Sequence, residues 1–256
     1  MSNIFKALSE IAATVTQFVE TGNNLVNTIQ SSKALDTVTS NIIKQSEPPE
    51  TTDPERSFTE VAIDANPNNK VPVLYGRGIT FGIKVDAHLD SDNVTLWLSY
   101  VLSERTGTMI DGTQSEINFI KVFMDGYECE FDTDGVSVTA IKDTLTVPNR
   151  DTRMAGNIKV YCYNNGVANQ VFPSGYSGTP ADATTIFPTW GASKQYDGLV
   201  FALVKVTYDA VNDITELPEF SFDLQNTMEQ PGDVLYDYLT NTRYGAGIPE
   251  SEIFVS

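Results

Sequence analysis

The sequence predicts a mainly β (α+β) protein, in which an N-terminal helix precedes an antiparallel β-barrel or sandwich domain and the start of a further α/β segment. Apolar residues follow helical spacing in the first 45 residues, whereas from residue 58 the hydropathy alternates with a period of two. A proline-containing acidic stretch separates the two patterns. The 256-residue chain can form a core without disulfides, because a domain of ~170 residues buries roughly 70% of its unfolded surface.

The N-terminal segment, residues 1–45, is expected to be helical because its apolar side chains step by three and four residues. The positions of this seam are candidate interface residues: Ile4, Leu8, Ile11, Val15 and Phe18. Residues beside the seam are mostly uncharged, so the ionic signature of a two-stranded coiled coil is missing. The helix therefore either packs onto its own domain or docks into a ring of copies or onto the helical end of a partner.

Residues 46–57 form a predicted linker. Between residues 46 and 56 the chain has three prolines, four acidic residues and no large apolar side chain. Such a segment cannot offset its ordering entropy by burial. The linker separates the helix from a β-rich domain predicted over 58–225, which is followed by a helix and the start of a second domain over 226–256.

The β-rich domain is predicted from stretches that are rich in Val, Ile, Thr and aromatic residues and are bounded by Gly, Asn and Asp. The longest of these stretches are 93–102, 117–126, 135–141, 157–165 and 198–209. A loop of low hydropathy, residues 171–198, lies between the last two strands; at this length it is expected to carry an interface or a binding surface.

A helix is predicted over 231–240, because Asp233 suits its first turn and apolar residues share one face. That face consists of Val234, Leu235, Tyr238 and Leu239.

The charge of the chain excludes several classes of function. It carries 34 acidic and 16 basic residues, a net charge of −18, whereas binding to nucleic acid or to an acidic lipid surface needs a basic face. No run approaches the ~18 apolar residues of a membrane span, and the first residues lack the pattern of a signal peptide. We therefore expect no nucleic-acid binding, no membrane segment, and synthesis in a cytoplasm.

The cysteines and the single histidine do not predict a metal or redox site. Cys129 and Cys162 lie in separate predicted strands, which favours buried free thiols over a disulfide. His88 lies in a stretch whose alternation places four polar residues on one face, namely Asp86, His88, Asp90 and Asp92. A polar strand edge that leads into a turn is favoured there over a divalent-metal site.

Catalytic motifs are not recognisable. With one histidine and no nucleophile motif, Ser-His-Asp or Cys-His hydrolase chemistry is not predicted. Glu130, Asp132 and Asp134 resemble the first half of a calcium loop, but Ile141 occupies the position that requires a bidentate carboxylate, so a β-turn is preferred. Residues 75–78 (YGRG) are interpreted as a tight turn after a strand over 71–75, not as a phosphate-binding loop. We predict no enzymatic activity, no catalytic residue, no cofactor and no bound metal.

Three tracts together resemble, in order, the hub or tip attachment proteins of long-tailed phages. The first is 71–78 (VPVLYGRG), which is similar to the segment that opens the hub region of that family. The second is 98–104 (LSYVLSE) followed by 120–126 (IKVFMDG). The third and most specific comprises 198–206 (GLVFALVKV), 217–222 (LPEFSF) and 233–245 (DVLYDYLTNTRYG). The resemblance covers about residues 68 to 250.

The resemblance implies a structural protein of the virion, located at the phage tail tip or baseplate. Hub proteins of this family form homotrimers that close the tail tube and contact the tape-measure protein, the distal tail protein and other tail-tip proteins. Their hub domains are β-barrels of the tail-tube type. The resemblance makes Arg243 and Tyr244 candidates for a domain or subunit seam, and it suggests that three N-terminal helices converge on the tail axis.

Two features of the family lack a counterpart in this sequence. The family continues for many hundreds of residues past the "RYG" tract, which implies either a split gene or a longer product. Some relatives also hold or contact an iron–sulfur protein, but two isolated cysteines cannot form a four-thiolate site, so no cofactor is carried over.

Two other functions compete with the hub. A tail-tip receptor- or glycan-binding module would use the loop 171–198, whose aromatic rings could stack on sugars. Those rings belong to Tyr176, Phe187, Trp190 and Tyr196, of which Trp190 is the main interface candidate. A tail-associated cell-wall hydrolase is the third interpretation, and clearing of cell-wall material would identify it.

Overall fold

A computed structural model describes residues 70–142, 150–179 and 181–253, and within them the protein consists mainly of two antiparallel β-sheets. The mainly β prediction is therefore confirmed. The strands are β1 Arg77–Thr80, β2 Ile83–Leu89, β3 Thr95–Glu104, β4 Ile117–Met124, β5 Tyr127–Phe131, β6 Val138–Lys142, β7 Arg150–Asp151, β8 Ile158–Tyr163, β9 Leu199–Thr207 and β10 Phe220–Asn226. The helices are α1 Ala183–Ile186, α2 Pro231–Thr240 and a 3-10 turn, Glu250–Glu252. The predicted N-terminal helix and linker lie outside the described residues.

The two sheets divide the strands unequally. The larger sheet has the order β1-β10-β4-β5-β6-β7, and the smaller has the order β2-β3-β9-β8. Every neighbouring pair of strands is antiparallel. Consecutive strands β1 and β2 belong to different sheets, so the chain turns a corner between them.

The main core lies between the two sheets and is built by the inward-facing residues of both. Strand β4 shows the alternation that sequence analysis predicts, because Phe119, Val122 and Met124 are buried while their neighbours are partly exposed. Aromatic rings dominate the centre: Tyr100 and Phe222 have centroids 5.9 Å apart, and Phe222 meets Phe119 edge to face at 6.3 Å. Such packing gives large buried area with defined geometry.

Strand β3 is buried along its whole length, because a second core covers the outer face of the smaller sheet. This second core is formed by side chains of that sheet together with side chains of the segment 164–198: Trp97, Val101, Tyr163, Val167, Ala183, Phe187, Trp190, Tyr196, Phe201 and Leu203. The segment also contains α1, whose N-cap Asp182 accepts a hydrogen bond from Thr184 N at 2.8 Å. The mean hydropathy of the loop is low, but a few of its large side chains pack inward.

Most local sequence predictions are confirmed and two are wrong: the strand over 71–75, and the tight turn over 75–78, where Arg77 and Gly78 already belong to β1. The five long predicted strands correspond to β3, β4, β6, β8 and β9, the predicted C-terminal helix is α2, and a turn occurs at Asp132–Gly135, where Gly135 N donates to Asp132 O at 2.9 Å. The strand predicted over 71–75 is reduced to one isolated bridge between Val73 and Glu104. Pro72 has no N–H to donate, and Leu74 N donates to Ser103 Oγ instead of to a strand.

Both cysteines are free and buried, as expected. Burial raises the pKa of the Cys129 thiol to about 12, so it stays protonated at neutral pH. Among the described residues, none of the helices is both long and apolar enough to cross a membrane.

The corner between β1 and β2 depends on Gly82. Its φ is +67°, and a Cβ at this position would lie 2.5 Å from Leu102 Cδ2 and 3.0 Å from Val101 O. Leu102 is itself buried in the main core and has little room to move. We expect Gly82→Ala to lower the free energy of unfolding by about 2–3 kcal/mol, measured by urea denaturation.

Gly156→Ala is the matched control for this substitution. Gly156 also has a positive φ of +85°, but nothing lies within 4 Å of a Cβ there. It should therefore show only the backbone strain of about 1 kcal/mol. Equal losses in the two variants would contradict a steric role for Leu102 and Val101.

Candidate functional site

The segment that begins with α2 returns to the β domain at a set of polar contacts, which we call the polar junction. Its members are Tyr75, Glu104, Gly107, Asp237, Arg243 and Tyr244. These residues come from four separate regions of the chain. The junction therefore joins regions that are distant in sequence.

Asp237 is the centre of the polar junction. It is 2% exposed, and its Oδ2 accepts hydrogen bonds from the hydroxyls of Tyr75 at 2.7 Å and Tyr244 at 2.6 Å. Its Oδ1 accepts from Gly107 N at 2.8 Å. Burial, and secondly the contact with Asp237, raise the pKa of both tyrosines well above the usual value, so their hydroxyls remain donors. Three donors thus satisfy one buried carboxylate.

Local features of α2 position Asp237 and Tyr244. The helix begins with Pro231 in its first turn and ends when Asn241 N donates to Asp237 O at 2.8 Å. The Asn241 side chain then accepts from Arg243 N at 2.9 Å, which turns the chain back toward the helix. Gly245 completes the turn, because a Cβ there would collide with the carbonyl oxygen of Tyr238.

An ion pair forms the second contact of the polar junction. Arg243 Nε lies 2.7 Å from Glu104 Oε2, and Arg243 Nη1 donates to Asp197 O at 3.2 Å. The Glu104 side chain is 10% exposed, whereas that of Arg243 is 53% exposed. Burial raises the pKa of Glu104, and Arg243 opposes this effect. Because Arg243 remains half in water, the pair contributes to orientation more than to stability.

Backbone contacts surround the polar junction and join the same regions. Arg105 N donates to Gly198 O at 2.7 Å, which links the end of β3 to the start of β9. The Asn226 side chain donates to Leu74 O at 2.6 Å and to Thr106 Oγ1 at 2.8 Å. Asn226 is fully buried, so these bonds hold residues 74 and 106 at a fixed distance.

The predicted site residues have different positions. Arg243 and Tyr244 lie at the polar junction, a seam between the α2 segment and the β domain of the same chain. Ile4, Leu8, Ile11, Val15 and Phe18 lie outside the described residues.

Trp190 lies in the second core and is 6% exposed, with its ring stacked on those of Phe187 and Tyr196 at 4.7 Å each. Its Nε1 donates to Asp86 Oδ2 at 2.8 Å. Lys194 Nζ lies 3.1 Å from the same oxygen and 4.8 Å from the centre of the Trp190 ring. Phe187, Trp190 and Tyr196 therefore face inward, and no stacking surface for a sugar is formed by them.

The polar residues around His88 do not converge on one point. Asp86 is buried against Trp190 and Lys194, whereas Asp92 accepts from Val94 N and Thr95 N at 2.9 Å and stabilises the turn after β2. His88 Nε2 is 3.9 Å from Asp90 Oδ1. In the part of the chain that the structure describes, no group of three or more His, Cys, Asp or Glu residues could hold a metal ion.

Neither a family model nor a curated protein sequence matches the chain. The interpretation of the function of this chain therefore rests on its own sequence and structure. Sequence reasoning does not single out Tyr75, Glu104 or Asp237, because nothing in the residues around them marks them as partners of one another. The sequence offered one indication for Asp237: an Asp in the middle of a helix, beside an apolar run, is a candidate for a buried hydrogen-bond acceptor.

Proposed function

We propose that this chain is a structural component of a phage tail tip or baseplate, and that it forms part of a trimeric central hub. In this role it closes the tail tube and contacts the tape-measure and distal tail proteins. One observation carries the proposal: of the six segments that make up the three hub-like tracts, four meet at the polar junction or beside it, namely 71–78, 98–104, 198–206 and 233–245.

The contacts explain why the resemblance includes polar residues. In the "RYG" tract, Arg243 pairs with Glu104 of the second tract, and Tyr244 shares Asp237 with Tyr75 of the first tract. The polar residues of these segments therefore act together at one junction. This joint structural role supports the proposal that the chain acts as an assembly protein.

The competing interpretation as a glycan-binding module lacks comparable support. It relied on aromatic rings in the loop 171–198, but Phe187, Trp190 and Tyr196 are each at most 6% exposed. The fourth ring, Tyr176, packs against Phe131 with centroids 5.5 Å apart. We therefore propose a single function.

Immunogold electron microscopy of phage particles tests the proposal. An antibody against the full chain should label purified virions at the distal end of the tail, because a hub closes the tube there. An amber mutation in the gene should give filled heads without functional tails, since assembly of the tube begins at the hub.

The amber-mutant preparation is also the control for the antibody, because it should lose the label. Labelling of the capsid, or purified virions that carry no copy of the chain, would refute the hub role. Normal infectious particles from the amber mutant in a non-suppressing host would refute it as well.

A further inference from the structure

The outward face of α2 carries an exposed apolar patch. The large hydrophobic side chains that are exposed in the described part of the chain are Ile79, Phe81, Ile110, Val211, Leu235 and Tyr238. Three of them lie together on or beside α2: Ile110 is 45% exposed, Leu235 58% and Tyr238 52%. We call these three residues the α2 face.

Helix geometry and one loop contact bring the α2 face together. Leu235 and Tyr238 are three residues apart and therefore lie on the same side of the helix. Ile110 belongs to the loop between β3 and β4, and its N donates to Asp233 Oδ1 at 2.9 Å. Its Cδ1 lies 3.6 Å from the position of a Cβ on Gly232, one turn before Leu235 and Tyr236.

The orientation of α2 is the reverse of an ordinary surface helix. The fully buried residue of the helix is Asp237, which is held at the polar junction, whereas Leu235 and Tyr238 face outward. A surface helix normally buries its apolar stripe and exposes its charges. Since the polar junction fixes the rotation of α2, the apolar side remains available to another molecule.

Two carboxylates lie beside the α2 face, and from α2 onward the sequence holds a single basic residue. Asp111 follows Ile110 directly, and Glu250 accepts a hydrogen bond from the Tyr236 side chain. From residue 206 to residue 253, Arg243 is the only basic residue of the sequence, and it is paired with Glu104. The rim of the apolar patch is therefore negatively charged.

We propose that the α2 face docks a basic amphipathic segment of a partner protein, one that presents apolar side chains flanked by Lys or Arg. The apolar centre supplies buried area, and the carboxylates attract and orient the basic flanks. A second copy of this chain would bring a second acidic rim, and like charges oppose that contact. The inference applies to any partner of this chemistry and goes beyond the proposed tail role.

Binding of a designed peptide to the full chain tests this proposal. The probe is a fluorescein-labelled Leu/Lys amphipathic helix of about 18 residues, and fluorescence anisotropy reports binding. A shuffled peptide of the same composition and a Leu/Glu helix of the same pattern control for plain charge attraction. We expect the Leu/Lys helix to bind more tightly than either control peptide.

Variants of the α2 face and a matched pair elsewhere locate the binding site. Leu235→Ser with Tyr238→Ser should weaken binding of the Leu/Lys helix by about tenfold or more. Ile79→Ser with Phe81→Ser removes side chains of similar exposure, 61% and 57%, at β1 and the corner after it, and should leave the affinity unchanged. Tyr238→Lys is a second variant that keeps a long side chain but repels the basic peptide. All the substituted residues are exposed, so thermal unfolding should occur at the wild-type midpoint.

Several results would overturn the proposal. These are no binding of the Leu/Lys helix to the wild-type chain, equal binding of the shuffled or acidic peptide, and equal affinity of the Leu235/Tyr238 variant. Sedimentation of the wild-type chain and of the Leu235/Tyr238 variant tests self-association. If the wild-type chain self-associates and the Leu235/Tyr238 variant does not, the α2 face is an interface between copies and not a site for a basic segment.

Discussion

Asp237→Ala is expected to lower the free energy of unfolding by about 3–5 kcal/mol, because it removes a buried acceptor that three partly buried donors share. The hydroxyls of Tyr75 and Tyr244 and the N–H of Gly107 would each lose their bond to this carboxylate. The two tyrosine side chains also hydrogen-bond to each other, so this bond can remain after the substitution. Urea denaturation followed by far-UV circular dichroism measures the loss.

Two variants on the same helix make this result specific. Asp233→Ala also removes a carboxylate from α2, but the bond to Ile110 N is exposed, so a loss of about 1 kcal/mol or less is expected. Asp237→Asn keeps one acceptor oxygen and turns an amide donor toward another donor, so its loss should be intermediate. If Asp237→Ala and Asp233→Ala had equal effects, the polar junction would not depend on the buried carboxylate.

Asp237→Ala should also release the α2 segment from the β domain. Besides this carboxylate, the α2 segment is joined to the β domain by the Arg243–Glu104 pair, the bond from Arg243 Nη1 to Asp197 O and the bond from Ile110 N to Asp233. Arg243 is half exposed and the Ile110–Asp233 bond is exposed, so these contacts contribute little by themselves. The polar junction therefore controls the orientation of α2, and through it the side that the helix presents to solvent.

The alternating strands could be predicted from sequence because each buries one face. In β8, buried Ile158, Val160 and Cys162 alternate with partly exposed Lys159 and Tyr161, and the buried set belongs to the main core. The short strands β1 and β7 could not be predicted, since stretches of two to four residues carry no period. Their pairing depends on neighbours that are distant in sequence.

The segment 164–198 covers the outer face of the smaller sheet, and we call it the cover. This role could not be predicted from its composition. Its mean hydropathy is low, but Phe187, Trp190 and Tyr196, together with Val167 and Ala183, cover the outer face of the smaller sheet. The buried face of α2 could not be predicted from the sequence either. Periodicity identifies the apolar side of a helix, but it does not show whether that side packs on the domain or binds a partner. In both cases the deciding interaction is a buried carboxylate whose partners lie far away in sequence.

Two of the buried carboxylates in the described residues hold different parts of the fold. Asp237 anchors α2, and Asp86 anchors the cover through Trp190 and Lys194. We therefore expect substitutions at the two carboxylates to loosen different parts of the fold. Loss of Asp237 should free the C-terminal helix, whereas loss of Asp86 should loosen the second core and leave the main core between the sheets in place.

Asp86→Ala is expected to lower the free energy of unfolding by about 3–5 kcal/mol, because Lys194 would remain buried without its counter-charge. The side chains of Asp86 and Lys194 are only 1% and 3% exposed, so water cannot replace the lost partner unless the cover opens. Both tryptophans of the chain, Trp97 and Trp190, lie in the second core. Their fluorescence therefore reports opening of the cover, while far-UV circular dichroism reports the sheets.

In Asp86→Ala the fluorescence transition should occur at lower urea than the circular dichroism transition, whereas the two coincide in the wild-type chain. The double variant Asp86→Leu with Lys194→Met is the control, because it replaces both charges by apolar groups of similar size. It should recover most of the lost stability and restore a single transition, since a buried ion pair contributes little net energy compared with well-packed apolar residues. If the double variant were as unstable as Asp86→Ala, the hydrogen bond from Trp190 to Asp86 would be the contact that holds the cover, and the ion pair would be secondary.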